Sequence, residues 1–196
     1  MSDLEKTLFE HLSVATPDYA RVTTLTLESY GPELVGWLCA SMPESDAHDA
    51  FAILAEELWK SLPKFDRRCS VRTWCYMLAR AARSRVIASP VHQREQLVST
   101  IPSVVHAVTH VLSTTRRLQA RQENVYAQIR NELEDEDQAL LVLRVDKELP
   151  WLDIALVLLG PDADGDQLAQ KAAALRKQFE RVKLALRELA QRRMHD

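Results

Sequence analysis

Glycine is scarce, at four in 196 residues, aromatic side chains make up only 6%, and no run of about eighteen apolar residues exists. With 46% apolar residues, these shortages point to a soluble helical protein of one domain or two small ones, without a membrane-spanning helix. The start MSDLEK lacks the charged and apolar blocks of a secretion signal, so the expected location is the cytoplasm. Cysteine is sparse too. Cys39, Cys69 and Cys75 are odd in number and lack CxxC spacing, which argues against a disulfide framework or zinc knuckle and leaves three reduced, structural thiols. His106 and His110 stand four apart with no third ligand nearby, so no metal is expected. Nothing resembles a nucleophile with its base, a glycine-rich phosphate loop or paired catalytic carboxylates. The expectation is a protein that is not an enzyme and needs no cofactor.

What is present is charge, arranged in blocks. The net charge of −3 alone argues against a nucleic-acid binder, but its distribution does not. Residues 1–57 hold 2 basic and 11 acidic groups, and residues 58–95 hold 9 and 2. Residues 96–122 add 3 arginines, residues 123–166 hold 3 basic and 12 acidic groups, and residues 167–196 hold 8 and 3. Two basic blocks alternate with two acidic ones, as expected of a chain that grips DNA at separate places and presses other faces on a protein. The first basic block is the more informative. LPKFDRRCSVRTWCYMLARAARSR, from Leu62 to Arg85, sets seven basic residues and one acid around Phe65, Trp74 and Tyr76. Cations neutralise phosphates and aromatic faces stack on unpaired bases, so the segment suits single-stranded nucleic acid. A helix with a solvated basic face and core aromatics would read the same way.

Apolar spacing of three and four predicts helices throughout, in Leu25, Leu27, Leu34, Trp37 and Leu38 and again in Phe51, Leu54, Leu58 and Leu62. Ser45 or Asp46 can cap the second run, Pro63 ends it, and 64–70 reads as a loop. Ser70 then caps a basic helix reaching about Ala88. Pro90 and Pro102 interrupt the pattern, and residues 89–123 read as a linker carrying one helix around Val104, Val105, Val108 and Val111. Helices over 135–147, 150–159 and about 166–193 complete a C-terminal domain. The expected architecture is all-α, with helical domains at 1–88 and 124–196.

The run SDAHDAFAILAEELWKSLPKFDRRCSVRTWCYMLARAARSRV resembles the second conserved region of bacterial extracytoplasmic-function sigma factors. The matching positions are Asp46, Ala47, Asp49, Leu58, Trp59, Leu62, Phe65, Ser70, Arg72, Thr73, Trp74, Tyr76, Ala79, Arg80 and Ala82. A second stretch, EDEDQALLVLRVDKELPWLDIALVLLG, resembles the start of the family's fourth region, a helix-turn-helix. Its matches are Asp137, Leu140, Leu141, Leu143 and Arg144, then Ile154, Ala155, Leu158 and Gly160. Together the two cover about half of the chain, in family order.

The resemblance implies an RNA polymerase sigma factor, with core RNA polymerase and promoter DNA as partners and an anti-sigma factor as a further partner left open. Polymerase docking would fall to Asp46, Asp49, Ile53, Glu56 and Trp59. Capture of the melted downstream promoter element would fall to Lys64, Arg67, Arg68, Arg72, Trp74, Tyr76, Arg80 and Arg83, with Trp74 open to a core role. Reading of the upstream element would fall to Arg176, Lys177, Gln178, Arg181 and Lys183. The chain departs from the family at Ala52, Ile53 and Ala55 in the docking helix and at Ala81 in the basic one. It also inserts PDADGDQLAQK before the recognition helix, which implies a turn about nine residues longer than usual and puts the base-reading positions in doubt. Two other readings stay open: a helix-turn-helix regulator that acts without polymerase, and a sigma-like decoy that only binds a partner protein.

Overall fold

The computed structural model describes residues 3–88, 102–119 and 133–193. All regular structure among them is helical, in two compact units, 1–119 and 120–196. The expected all-α class holds. No helix among the described residues is long and apolar enough to cross a membrane.

The first unit contains α1 (Asp3–Leu12), α2 (Tyr19–Cys39), α3 (Glu44–Ser61), α4 (Val71–Ala88) and α5 (Pro102–Gln119). Asp18 starts α2 by accepting a hydrogen bond from the Arg21 amide at 3.0 Å. The cap expected at Ser45 or Asp46 does not form, because α3 begins earlier, at Glu44, behind Pro43 and without a side-chain cap. A 3-10 turn over Leu62–Lys64, with Pro63 inside it, ends α3. Ser70 does cap α4, its hydroxyl accepting from the Thr73 amide at 3.0 Å. The core is built from Leu27, Leu34, Leu38, Phe51, Leu54, Leu58 and Tyr76, all at most 0% exposed. Burying each such side chain contributes on the order of 1.5–3 kcal/mol.

The valine-rich helix of the expected linker is α5. It packs along α2 within the first unit, with Val104, Ala107 and Val111 buried. Gly31 makes this possible, since a Cβ there would lie 2.8 and 2.9 Å from the Val111 methyls and 3.2 Å from the Phe51 ring. The rest of the expected linker, residues 89–101 and 120–123, lies outside the described residues.

The second unit contains α6 (Asp135–Leu141), which widens into a π turn over Val142–Asp146, then α7 (Trp151–Leu159) and α8 (Gly165–Arg193). Leu140, Leu143, Ile154, Ala155, Leu175 and Val182 form its core. Gly160, at φ 96°, turns the chain out of α7 through a conformation that side-chain-bearing residues rarely adopt. The long turn expected here is short. Residues 160–164 make the corner, and the rest of the inserted stretch extends α8 at its N-terminus. A reciprocal cap explains why. The Asp164 carboxylate accepts from the Gln167 amide at 2.8 Å while the Gln167 side chain accepts from the Asp164 amide at 3.1 Å. Asp164→Ala should lower the stability of this unit by about 1 kcal/mol and fray the first turn of α8, as read by urea unfolding and amide exchange.

Candidate nucleic-acid interface

The loop between α3 and α4 is built on aromatic packing. Phe65 lies between Phe9 of α1 and Trp74 of α4, with ring centroids 6.1 and 5.4 Å away. Trp74 is half-buried and donates its indole N–H to the Ser61 hydroxyl at 3.3 Å, so the ring is a packing element with one edge at the surface. Tyr76 does not lie on the surface expected for base capture. At 0% exposed it packs edge-on against Trp37 in the core, where no base can reach it. Burial pushes its hydroxyl pKa upward, the nearby Glu33 carboxylate adds to this, and the group stays neutral.

The cations divide by what they hold. Arg72 grips Glu33 through two bonds of 2.7 and 2.9 Å, and the half-buried pair keeps the guanidinium firmly protonated. Arg83 donates to the Ser41 hydroxyl and carbonyl at 3.2 and 3.1 Å, stapling α4 to the end of α2. Arg67 donates to the Leu12 carbonyl at 2.7 Å and the Ser13 hydroxyl at 3.0 Å. Arg68 lies 3.7 Å from Asp66 on the exposed loop. Lys64 and Arg80 are exposed, and their side chains have no partner among the described residues. Of the expected set, Lys64, Arg68 and Arg80 therefore face water, whereas Arg72 and Arg83 act first as ties within the fold.

Sequence reasoning missed Glu5. It is 4% exposed, and its carboxylate accepts from the Val71 and Arg72 amides, each at 3.0 Å, and from the Tyr30 hydroxyl at 2.9 Å. An anion on the first amides of a helix satisfies donors that have no partner in the helix and complements its dipole. Glu5 thus fixes the start of α4, and with it the base of the loop. Its position on an otherwise ordinary amphipathic helix carried no signal of this.

On α3, Ile53 is 5% exposed and belongs to the core, so it is withdrawn from the docking face. Asp46, Asp49, Glu56 and Trp59 remain half-exposed, with Glu56 paired to Lys60. Glu57 is held by Arg85 of α4 at 2.8 Å. Cys75 is fully buried, which pushes its thiol pKa up and leaves it unreactive, while Cys39 and Cys69 are half-buried; all three are free thiols. Among the described residues no group of three His, Cys, Asp or Glu could hold a metal ion.

In the second unit the expected reading residues also divide. Arg176, Lys177 and Arg181 are exposed on α8. Gln178 turns inward and donates to Asp137 of α6 at 2.7 Å. Lys183 lies 5.3 Å over the Phe179 ring and pairs with Glu180 at 2.8 Å. Because α8 begins at Gly165, Arg176 stands roughly 16 Å along the helix from its N-terminus. The end of the helix instead presents Asp162, Asp164 and Asp166. A helix that reads bases usually delivers its first turns to the groove, and acids there repel phosphate. The exposed cations of α8 therefore lie along the middle of the helix and not at its first turns. No family model, curated protein or solved structure matches the chain.

Proposed function

We propose that this protein is a sigma-type transcription factor that binds core RNA polymerase and helps to open promoter DNA. The observation that carries this reading is the α3–loop–α4 element. A half-exposed acidic helix leads into a short loop bearing Lys64 and Arg68, braced by Phe65 and Trp74, and then into a basic helix bearing Arg80. Acidic groups with a half-buried Trp59 suit a protein partner, and exposed cations on a loop and the helix behind it suit the phosphates of a melted strand. The exposed Arg176, Lys177 and Arg181 along the middle of α8 suit a second contact with DNA, through the phosphate backbone more than through bases. The acidic start of α8 also favours a second reading, a sigma-like protein that has lost upstream-element recognition.

The test uses three cations exposed on the loop and on α4. Lys64, Arg68 and Arg80, replaced together by Ala, should leave folding and polymerase binding nearly unchanged, since exposed charges contribute little to stability. Opening of a duplex promoter should fall at least tenfold, and a template with an artificial bubble should recover most of the loss, because the unstacking cost is then already met. Arg72 is kept, because its removal would take the paired guanidinium from half-buried Glu33 and mix a folding defect with a binding one. If the triple variant opens promoters normally, the loop does not touch DNA.

A further inference from the structure

The loop that faces a melted strand in the reading above is already occupied by the protein's own α1. Arg67 has φ 62°, a left-handed conformation that is strained for a residue with a side chain. Such strain persists only where the surroundings impose it, and here these are the last turn of α1 and the Asp66 carboxylate, which accepts from the Arg68 amide at 3.1 Å across Arg67. The Leu12 carbonyl, which has no helical partner, and the Ser13 hydroxyl accept from the two ends of the guanidinium. The guanidinium carbon also sits 5.9 Å from the centre of the Phe9 ring, and Phe9 in turn covers Phe65. Beyond this turn the chain is exposed at Ser13, Val14, Ala15 and Thr16. The N-terminal part of α1 is held more firmly, since Glu5 and Leu8 are buried against α4 and the core, whereas in the last turn Leu12 alone is buried.

We propose that the C-terminal turn of α1 is a clasp, and that single-stranded nucleic acid binds the loop by displacing it. A phosphate would replace the Leu12 carbonyl and Ser13 hydroxyl on Arg67, and a base would replace Phe9 on Phe65. Each partner in the clasp has a close chemical counterpart in the ligand: an oxygen acceptor for the guanidinium and a flat π face for the ring. Release also lets the backbone at Arg67 relax, while Glu5 keeps α1 attached. The clasp lowers apparent affinity by the fraction of molecules in which it is closed. This inference rests on the single-strand reading of the loop and adds its regulation.

The experiment uses the full chain and a fluorescein-labelled single-stranded DNA of mixed sequence, followed by anisotropy. Phe9→Ala with Ser13→Ala loosens the clasp from the side of α1 and leaves every cation in place. It should tighten binding about fivefold. Ser13→Asp should tighten the clasp and weaken binding more than Thr16→Asp, which adds the same charge beyond it. Saturating DNA should also speed amide exchange over residues 9–14, where the Ser13 amide donates to the Glu10 carbonyl at 3.0 Å. Equal or weaker binding by the double variant, or greater protection of residues 9–14, would show that α1 is a fixed brace and overturn the clasp alone. If neither the wild type nor any variant binds, the single-strand reading falls and the clasp with it.

Discussion

Glu5→Ala should lower the stability of the first unit by about 3 kcal/mol, a large effect for one side chain on a surface helix. The carboxylate is almost fully buried and is the acceptor for two amides at the start of α4 and for the Tyr30 hydroxyl. Removing it leaves three donors without that acceptor in a site where water has little access, and the cost of unsatisfied buried groups exceeds that of the side chain's lost packing. Glu5→Gln keeps one acceptor oxygen but turns an amide N–H₂ toward the donors, so its loss should be intermediate. Urea unfolding followed by tryptophan fluorescence reads the effect, because Trp37, Trp59 and Trp74 all lie in the first unit. If Glu5→Ala unfolds at the wild-type midpoint, α1 does not cap α4.

Gly31→Ala should destabilise the protein by about 2 kcal/mol, although the same exchange inside an unobstructed helix gains up to about 1 kcal/mol. The difference is the crowding of the new methyl against Val111 and Phe51. Val111→Ala removes the two methyl groups nearest to Gly31, so in that background Gly31→Ala should become neutral or stabilising. The double-mutant cycle should therefore give a coupling on the order of 2 kcal/mol. Strictly additive effects would mean that α5 does not lie in the notch on α2.

Much of the helix pattern was legible in the sequence because its signals are local. Pro63 and Ser70 bound the loop, Ser70 caps α4 as expected, and Gly160 ends α7. The partners of the site residues were not legible, because they come from far along the chain. Arg72 meets Glu33 across 39 positions, Arg83 meets Ser41 across 42, and Arg67 meets Ser13 across 54. A basic residue within an amphipathic pattern reads the same whether it faces water or ties two helices together. Tyr76 and Ile53 show the converse, since each falls near the boundary between faces, where spacing alone does not decide burial. The inserted stretch before α8 reads as loop from its Pro, Gly and Asp content, yet the Asp164–Gln167 cap turns most of it into helix.

The proposed function requires that the chain act through polymerase. Run-off transcription by purified core RNA polymerase tests it most directly, with and without this protein, on a pool of genomic promoter fragments. Transcripts from discrete start sites that appear only when the protein is added would agree with the account, and free protein alone should bind the same duplex fragments weakly because its acidic blocks repel phosphate. Tight, specific binding of duplex DNA by the free protein, with no new start site in the presence of core polymerase, would contradict it.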